Sequence, residues 1–166
     1  MKTPLITMRF IENLKFLQEK VPKENIIFCG DDEYNEFLCV SCGGQIYGVA
    51  YFNYGTNSQI SLNVRKNLLY IGASQNFICI DIDGGEILFN EELIFPFFEM
   101  LYDENSEYLC VVCECNIICY FGSKEVWRVD FGEIINSYEI IDNKLFVKCV
   151  DKKEYIISLF NGNIYE

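Results

Sequence analysis

The hydrophobic pattern of the chain changes once, near residue 26. Over residues 9–20, apolar side chains recur at steps of three and four residues with charges between them, and Pro22 follows. This pattern predicts one amphipathic helix that ends before the proline. From Ile26 onward, short apolar runs are separated by Gly, Asn and Asp, which is typical of strands joined by turns. The sequence therefore predicts an all-β fold with one N-terminal helix.

The β region contains an internal repeat. Three stretches each run strand, turn, strand, glycine turn and short strand, and their turn glycines Gly84, Gly122 and Gly162 are 38 and 40 residues apart. That period fits a four-stranded β-unit, because a further strand precedes each of the later two units. We expect a single domain over residues 1–166, with the helix at about 9–20. The predicted repeats cover about 35–64, 65–102, 103–142 and 143–166, the first being an irregular copy.

The inner strands of these repeats are apolar on both faces, as in residues 109–113 and 117–121. Continuous apolar runs indicate strands that are covered on both sides, as stacked blades would be. Residues 80–89 and 122–127 carry a turn followed by Glu-Ile-Leu-Phe or Glu-Val-Trp, and so resemble the repeat of quinoprotein-type, WD40-like β-propellers. The resemblance implies an antiparallel meander of four-stranded repeats. Since propellers usually have four to eight blades, we expect an incomplete or small propeller, with a sandwich as the alternative.

The chemistry of the side chains argues against an enzyme. Histidine is absent, which removes the commonest general base and metal ligand. Carboxylate pairs such as Glu91–Glu92 are adjacent in the chain, whereas catalysis needs two carboxylates that face each other across a cleft. No glycine-rich loop precedes a helix, so a phosphate-binding loop is not expected. Asp-Gly-Gly at 83–85 is a turn signal. We predict no catalytic residues and no cofactor; the quinone of the resembled family is not implied. Trp127 fits a core position better than an interface anchor.

Nine cysteines and the lack of a secretory signal in residues 1–10 predict a cytoplasmic protein with reduced thiols. No apolar run reaches the length of a membrane span. Two Cys-x-x-Cys pairs, Cys39/Cys42 and Cys110/Cys113, suggest zinc, but positions i and i+3 of a strand point to opposite faces. We therefore predict buried structural thiols and no metal site. A turn at residues 39–44 leaves metal binding by the first pair open.

The net charge of −12 comes from one segment. Residues 83–142 hold fourteen acidic and two basic side chains, whereas the other 106 residues hold eleven of each. Such self-repulsion indicates either a solvated face that keeps the chain soluble or a surface for a basic protein partner, which we favour. We expect neither nucleic acid, whose phosphates so acidic a chain would repel, nor a membrane as a partner. The candidate partner-binding residues, all near predicted turns or strand ends, are Glu91, Glu92, Asp103, Glu104, Glu107, Glu114 and Glu133.

Two functions are compatible with these observations. In size, charge and class, the chain resembles bacterial immunity proteins, which implies that it neutralises a basic toxin, such as a nuclease, by occluding its active or substrate-binding face. The alternative is a propeller-like scaffold or adaptor subunit that completes its ring with another chain. That alternative is also compatible with a homo-oligomer.

Overall fold

The computed structural model describes residues 4–31 and 33–165, which divide into two compact units, Met1–Ile94 and Phe95–Glu166. Each unit contains two four-stranded sheets, so the predicted all-β fold of four-stranded repeats with one helix is confirmed. None of the sheets formed by the described residues closes on itself. Within the same residues, no helix is long and apolar enough to cross a bilayer.

The first unit contains sheets A and B. The strands of sheet A are β1 (Ile6–Ile11), β2 (Ile26–Phe28), β3 (Glu36–Cys42) and β4 (Gln45–Tyr51). Helix α1 (Leu14–Lys20) and a 3-10 turn (Lys23–Asn25) lie between β1 and β2. The strand order is β1-β3-β4-β2, and only the β2–β4 pair is parallel. Sheet B is an antiparallel meander of β5 (Gln59–Asn63), β6 (Leu68–Ala73), β7 (Asn76–Asp81) and β8 (Ile87–Glu92).

The second unit contains sheets C and D, both antiparallel meanders. Sheet C consists of β9 (Phe97–Tyr102), β10 (Tyr108–Cys113), β11 (Asn116–Phe121) and β12 (Lys124–Asp130). Sheet D consists of β13 (Ile135–Ile141), β14 (Lys144–Cys149), β15 (Glu154–Ser158) and β16 (Ile164–Tyr165). The three stretches that share the glycine turn correspond to the last three strands of sheets B, C and D.

The N-terminal segment differs from the expected helix over residues 9–20. Its first part is the end of β1, which pairs with β3, and α1 begins at Leu14. Asn13 sets this boundary, because its side-chain oxygen accepts a hydrogen bond from the backbone N–H of Phe16 at 3.0 Å. A side-chain cap of this kind satisfies a donor that the first helical turn leaves unpaired. The pairing with β3 outweighs the helical spacing of residues 9–11.

The boundary of the first repeat also lies elsewhere in the structure. The strand β5, which falls within the expected 35–64 repeat, pairs with β6 and is the first strand of sheet B. The first four-stranded sheet of the chain is instead sheet A, whose connectivity differs from a meander because β2 lies parallel to β4. Each of the three meander sheets thus begins with the strand that precedes its glycine-turn pattern.

Each unit has its own core. In the first unit, Leu38 and Val40 of sheet A pack with Ile78 and Ile80 of sheet B. In the second unit, residues of sheet C such as Val112 and Ile117 pack with Leu145 and Ile157 of sheet D. The inner strands β6 and β10 are buried at nearly every position, which explains why they are apolar on consecutive positions.

The outer side of sheet A is covered by α1. Leu17 is fully buried against Ala50 of β4, in a cluster that includes Phe37 and Cys39. Gly48 permits this close approach, since a Cβ there would lie 3.1 Å from Leu17 Cδ1. The first sheet of the chain is therefore covered on that side by its own helix.

Candidate partner-binding surfaces

The predicted acidic residues of the second unit fall at two ends of sheet C. Successive loops of an antiparallel meander alternate between the ends of the sheet, and strands of six residues separate those ends by roughly 20 Å. Asp103, Glu104 and Glu107 lie in the β9–β10 turn. Glu114 lies in the β10–β11 turn and Glu133 in the β12–β13 connection, both at the opposite end of the sheet. The structure thus separates these five residues into two groups.

The remaining two predicted residues belong to the first unit. Glu91 and Glu92 are the last residues of β8, where they lie opposite Phe77 and Asn76 of β7. Glu91 is half-buried and Glu92 is exposed. Their side chains point to opposite faces of the strand, so adjacency in sequence does not make them one binding group.

The β9–β10 turn uses its first acidic residue for its own structure. The carboxylate of Asp103 accepts hydrogen bonds from the backbone N–H of Ser106, at 3.0 Å, and from the Ser106 hydroxyl. The backbone N–H of Glu107 donates to the carbonyl of Asp103 at 2.7 Å, and Glu107 has a φ of +64°. Asp103 therefore stabilises the turn, and Glu104 is the most exposed of the three acidic residues there.

At the opposite end, the carboxylates gather around two thiols. Burial, followed by the charges of Glu114 and Glu133, raises the pKa of the Cys115 thiol. Burial, followed by Asp151 and Glu133, raises the pKa of Cys149. We call Glu114, Glu133 and Asp151 the acidic end. These carboxylates add to the effect of burial, because a nearby negative charge disfavours the thiolate.

Backbone hydrogen bonds hold the acidic end together. The N–H of Ile135 donates to the carbonyl of Glu114 at 2.8 Å, and the N–H of Val150 donates to the carbonyl of Ile134 at 2.9 Å. Asp151, which pairs with Lys153 at 2.9 Å, was not predicted, because it lies outside the acidic segment 83–142. Its position in the β14–β15 turn, equivalent to that of Glu114 in β10–β11, was the available signal.

The cysteines occupy structural positions. All nine carry free thiols. Cys39 packs in the cluster beneath α1, whereas Cys42 packs in the core between sheets A and B, so the first Cys-x-x-Cys pair is split across the two faces of β3. Cys110 and Cys119 lie opposite each other in β10 and β11 with their sulfurs 4.0 Å apart. Among the described residues, no group of three or more potential ligands is placed to hold a metal.

Trp127 is a core residue, as predicted. Its ring is 8% exposed, and its Nε1–H donates to the carbonyl oxygen of Leu159 at 2.7 Å. Gly162 lies against the ring, since a Cβ there would be 2.8 Å from Cγ of the indole. Trp127 thereby links the last strand of sheet C to the turn that follows β15 of sheet D.

A surface that the sequence did not predict lies on sheet D. Register places the strands' side chains in two sets, one of which, including Val147 and Ile157, packs toward sheet C. Most of the other set lines a groove of about 690 Å³, to which Tyr138, Val147 and Tyr155 of the same sheet also contribute. We call this set the outer face of sheet D: Glu139, Lys144, Phe146, Lys148, Glu154, Ile156 and Tyr165.

The outer face of sheet D combines an apolar row with balanced charges. Phe146, Ile156 and Tyr165 are neighbours across three strands, and Tyr165 is 47% exposed. Lys148 pairs with Glu154 at 2.8 Å, and the ammonium of Lys144 lies 5.0 Å from the centre of the Tyr165 ring. Two lysines and two glutamates leave this face without net charge, in a chain whose net charge is −12.

The sequence did contain a signal for this surface. In β14, Lys144, Phe146 and Lys148 alternate with Leu145 and Val147, whereas β10 is apolar at nearly every position. Alternation marks a strand with one solvated face, and continuous apolar sequence marks a strand covered on both. Sheet D is therefore distinguished from sheet C by its side-chain pattern.

Comparison with known proteins supports the propeller resemblance. The WD40 domain of Toxoplasma gondii coronin matches 81% of this chain and 40% of its own, with a TM-score of 0.55 and 12% identity. The Cps50 (Swd1) β-propeller domain of Myceliophteria thermophila matches 69% of this chain and 39% of its own, with a TM-score of 0.51 and 11% identity. BamB of Moraxella catarrhalis matches 98% of this chain and 51% of its own, with a TM-score of 0.52 and 11% identity.

These matches show that the chain is built from β-propeller-like repeats. It spans only about two fifths to one half of the length of these three proteins. No family model and no curated protein sequence matches the chain. At such low identity the likeness defines the fold alone, and the resemblance to immunity proteins receives no support.

Proposed function

We propose that the chain is a non-enzymatic protein-interaction module, a propeller-like scaffold or adaptor subunit that docks a β-sheet of another chain. The outer face of sheet D carries this proposal. Its apolar row Phe146–Ile156–Tyr165 is accessible, and it lies on the side of sheet D opposite to the side that packs against sheet C. Propeller blades stack on one another around an axis, so this is the side on which a further blade would pack.

Sheets A and D differ in what covers the face away from the neighbouring sheet of their unit, which supports the same proposal. On sheet A, helix α1 covers that face through Leu17. On sheet D, that face keeps Phe146, Ile156 and Tyr165 in a groove. An apolar row left accessible in this way favours a docking role.

The acidic end supports a second candidate, the capture of a basic protein. Burial raises the pKa values of Cys115 and Cys149, and the nearby carboxylates of Glu114, Glu133 and Asp151 add to that shift. Asp151 is paired with Lys153, so Glu114 and Glu133 supply the net negative charge, which speeds the approach of a basic partner. Asp103, Glu104 and Glu107, at the other end of sheet C, are retained in this candidate as more distant contributors to the field. No observation supports a toxin as that partner.

Capture of a partner with matched variants tests the two surfaces. The tagged chain is compared with Phe146→Glu, which puts a charge in the groove, and with Glu114→Gln/Glu133→Gln, which removes charge at the acidic end. We expect Phe146→Glu to weaken binding of the captured protein at least tenfold, and the double glutamine variant to leave it within about threefold. A partner lost only with the glutamine variant would replace the first candidate by the second. Full retention by both variants would contradict both surfaces.

A further inference from the structure

We infer that the outer face of sheet D associates with the same face of a second copy of this chain. The inference rests on the proposed function, because it names the partner whose sheet docks there. It is carried by three features of the face: its neutrality, its self-complementary composition and its area.

The charges of this face balance, although the chain as a whole carries a net charge of −12. Two copies with a net charge of −12 each repel one another in most orientations. The outer face of sheet D presents Lys144 and Lys148 with Glu139 and Glu154, so it adds no repulsion of its own. At physiological ionic strength the Debye length is about 8 Å, so acids beyond the contact are largely screened. A second copy can therefore approach here without repulsion between the charges of the two faces.

The composition of the face is complementary to itself. A two-fold axis brings the same patch of both copies together, so each side must satisfy the other's groups. Phe146, Ile156 and Tyr165 form one apolar row, with charged residues of both signs on adjacent positions. The apolar rows bury each other, while a lysine of one copy can meet a glutamate of the other. A purely acidic or purely basic face could not pair with itself in this way.

The area of the face sets the expected strength. Four strands about 4.8 Å apart, with about six residues at about 3.4 Å each, cover roughly 400 Å², and β16 contributes only two residues. Two such faces bury roughly 800 Å² in total, which is below the range of about 1,200–2,000 Å² for stable complexes. The association is thus a weak, reversible dimer rather than an obligate one.

Sedimentation velocity over a concentration series, from micromolar to near-millimolar, tests the dimer. The wild-type chain should shift from monomer to dimer as the concentration rises. Phe146→Glu should weaken the dimer at least tenfold, since it buries a charge in the apolar row. Phe28→Glu is the matched control, because Phe28 is a 44% exposed aromatic residue on a strand of sheet A. That variant should dimerise as the wild type does, and circular dichroism checks that each variant is folded.

A charge-reversal pair keeps the test decisive if Phe146→Glu fails to fold. Lys148 is 45% exposed, so Lys148→Glu perturbs the fold little but makes the face acidic. Lys148→Glu should weaken the dimer several-fold, and adding Glu154→Lys should restore it by restoring neutrality.

The possible outcomes separate this inference from the proposed function. A chain that stays monomeric at every concentration, or a dimer that Phe146→Glu and Lys148→Glu leave unchanged, overturns the inference. If the chain is monomeric but Phe146→Glu still abolishes capture of a different protein, the docking face stands and its occupant is that protein. If neither self-association nor capture depends on Phe146, the proposed function fails as well.

Discussion

Replacing Trp127 by Phe measures how firmly sheets C and D are joined within the second unit. The indole N–H donates to the Leu159 carbonyl at 2.7 Å in a site where the ring is 8% exposed. Phenylalanine leaves that carbonyl with only the weak Cys119 thiol at 3.8 Å. An unsatisfied buried acceptor costs about 1–3 kcal/mol, and the smaller ring buries about 40 Å² less apolar surface, worth about 1 kcal/mol. We expect the free energy of unfolding to fall by about 2–4 kcal/mol.

The assay is urea unfolding followed by far-UV circular dichroism, because Trp127 is the single tryptophan and fluorescence is lost with it. Phe98→Leu, at a 37% exposed aromatic of the same unit, is the control and should change stability by less than about 0.5 kcal/mol. A Trp127→Phe variant as stable as the wild type would refute the bonded, buried position of this ring. A drop in the control of equal size would show that any aromatic loss in the unit has the same cost.

Three further predictions follow from local geometry. Glu133→Gln should lower the pKa of the Cys115 thiol and speed its alkylation by iodoacetamide. Glu104→Gln, at the other end of the sheet, should leave the rate unchanged. Equal rates in all variants would contradict the placement of Glu133 beside Cys115. Gly162→Ala should lower the free energy of unfolding by about 1–3 kcal/mol. The φ of Gly162 is +71°, and a Cβ there would lie 2.8 Å from Cγ of the Trp127 indole. A variant with unchanged urea unfolding would refute this contact. Burial raises the pKa of Cys29 from 9.0 to about 12. The buried neutral thiol therefore contributes its full stabilisation below pH 9, and that contribution is lost as the pH rises toward 12. A urea midpoint that stays constant over this range would contradict the buried position of Cys29.

The β repeats could be predicted from sequence because their signals are local. Glycine turns at Gly84, Gly122 and Gly162 each precede a short outer strand, and apolar positions on both faces mark the inner strands. The first sheet could not be predicted in the same way. Its pairing of Ile6–Ile11 with Glu36–Cys42 joins distant parts of the chain, and a short apolar run does not distinguish a strand from a helix.

The candidate surfaces were only partly predictable. The sequence shows that the acidic side chains are concentrated in residues 83–142. It does not show at which end of the sheet each of them lies, because the turns of a meander alternate between two ends. Asp151 joins Glu114 and Glu133 through packing of sheets C and D, which no local pattern specifies. The outer face of sheet D had a visible signal in the alternation of residues 144–148. Its accessibility depends on what covers the sheet, and that is a property of the folded chain.

The central claim is that the outer face of sheet D is where the chain meets its partner. Methyl NMR tests it most directly, because two adjacent isoleucines point to opposite faces of β15: Ile156 lines the groove and Ile157 is fully buried in the core. On raising the concentration of the chain, or on adding a captured partner, the Ile156 methyl signals should shift or broaden while those of Ile157 stay nearly unchanged. Perturbation of methyls elsewhere, with Ile156 unaffected at saturation, would contradict the account.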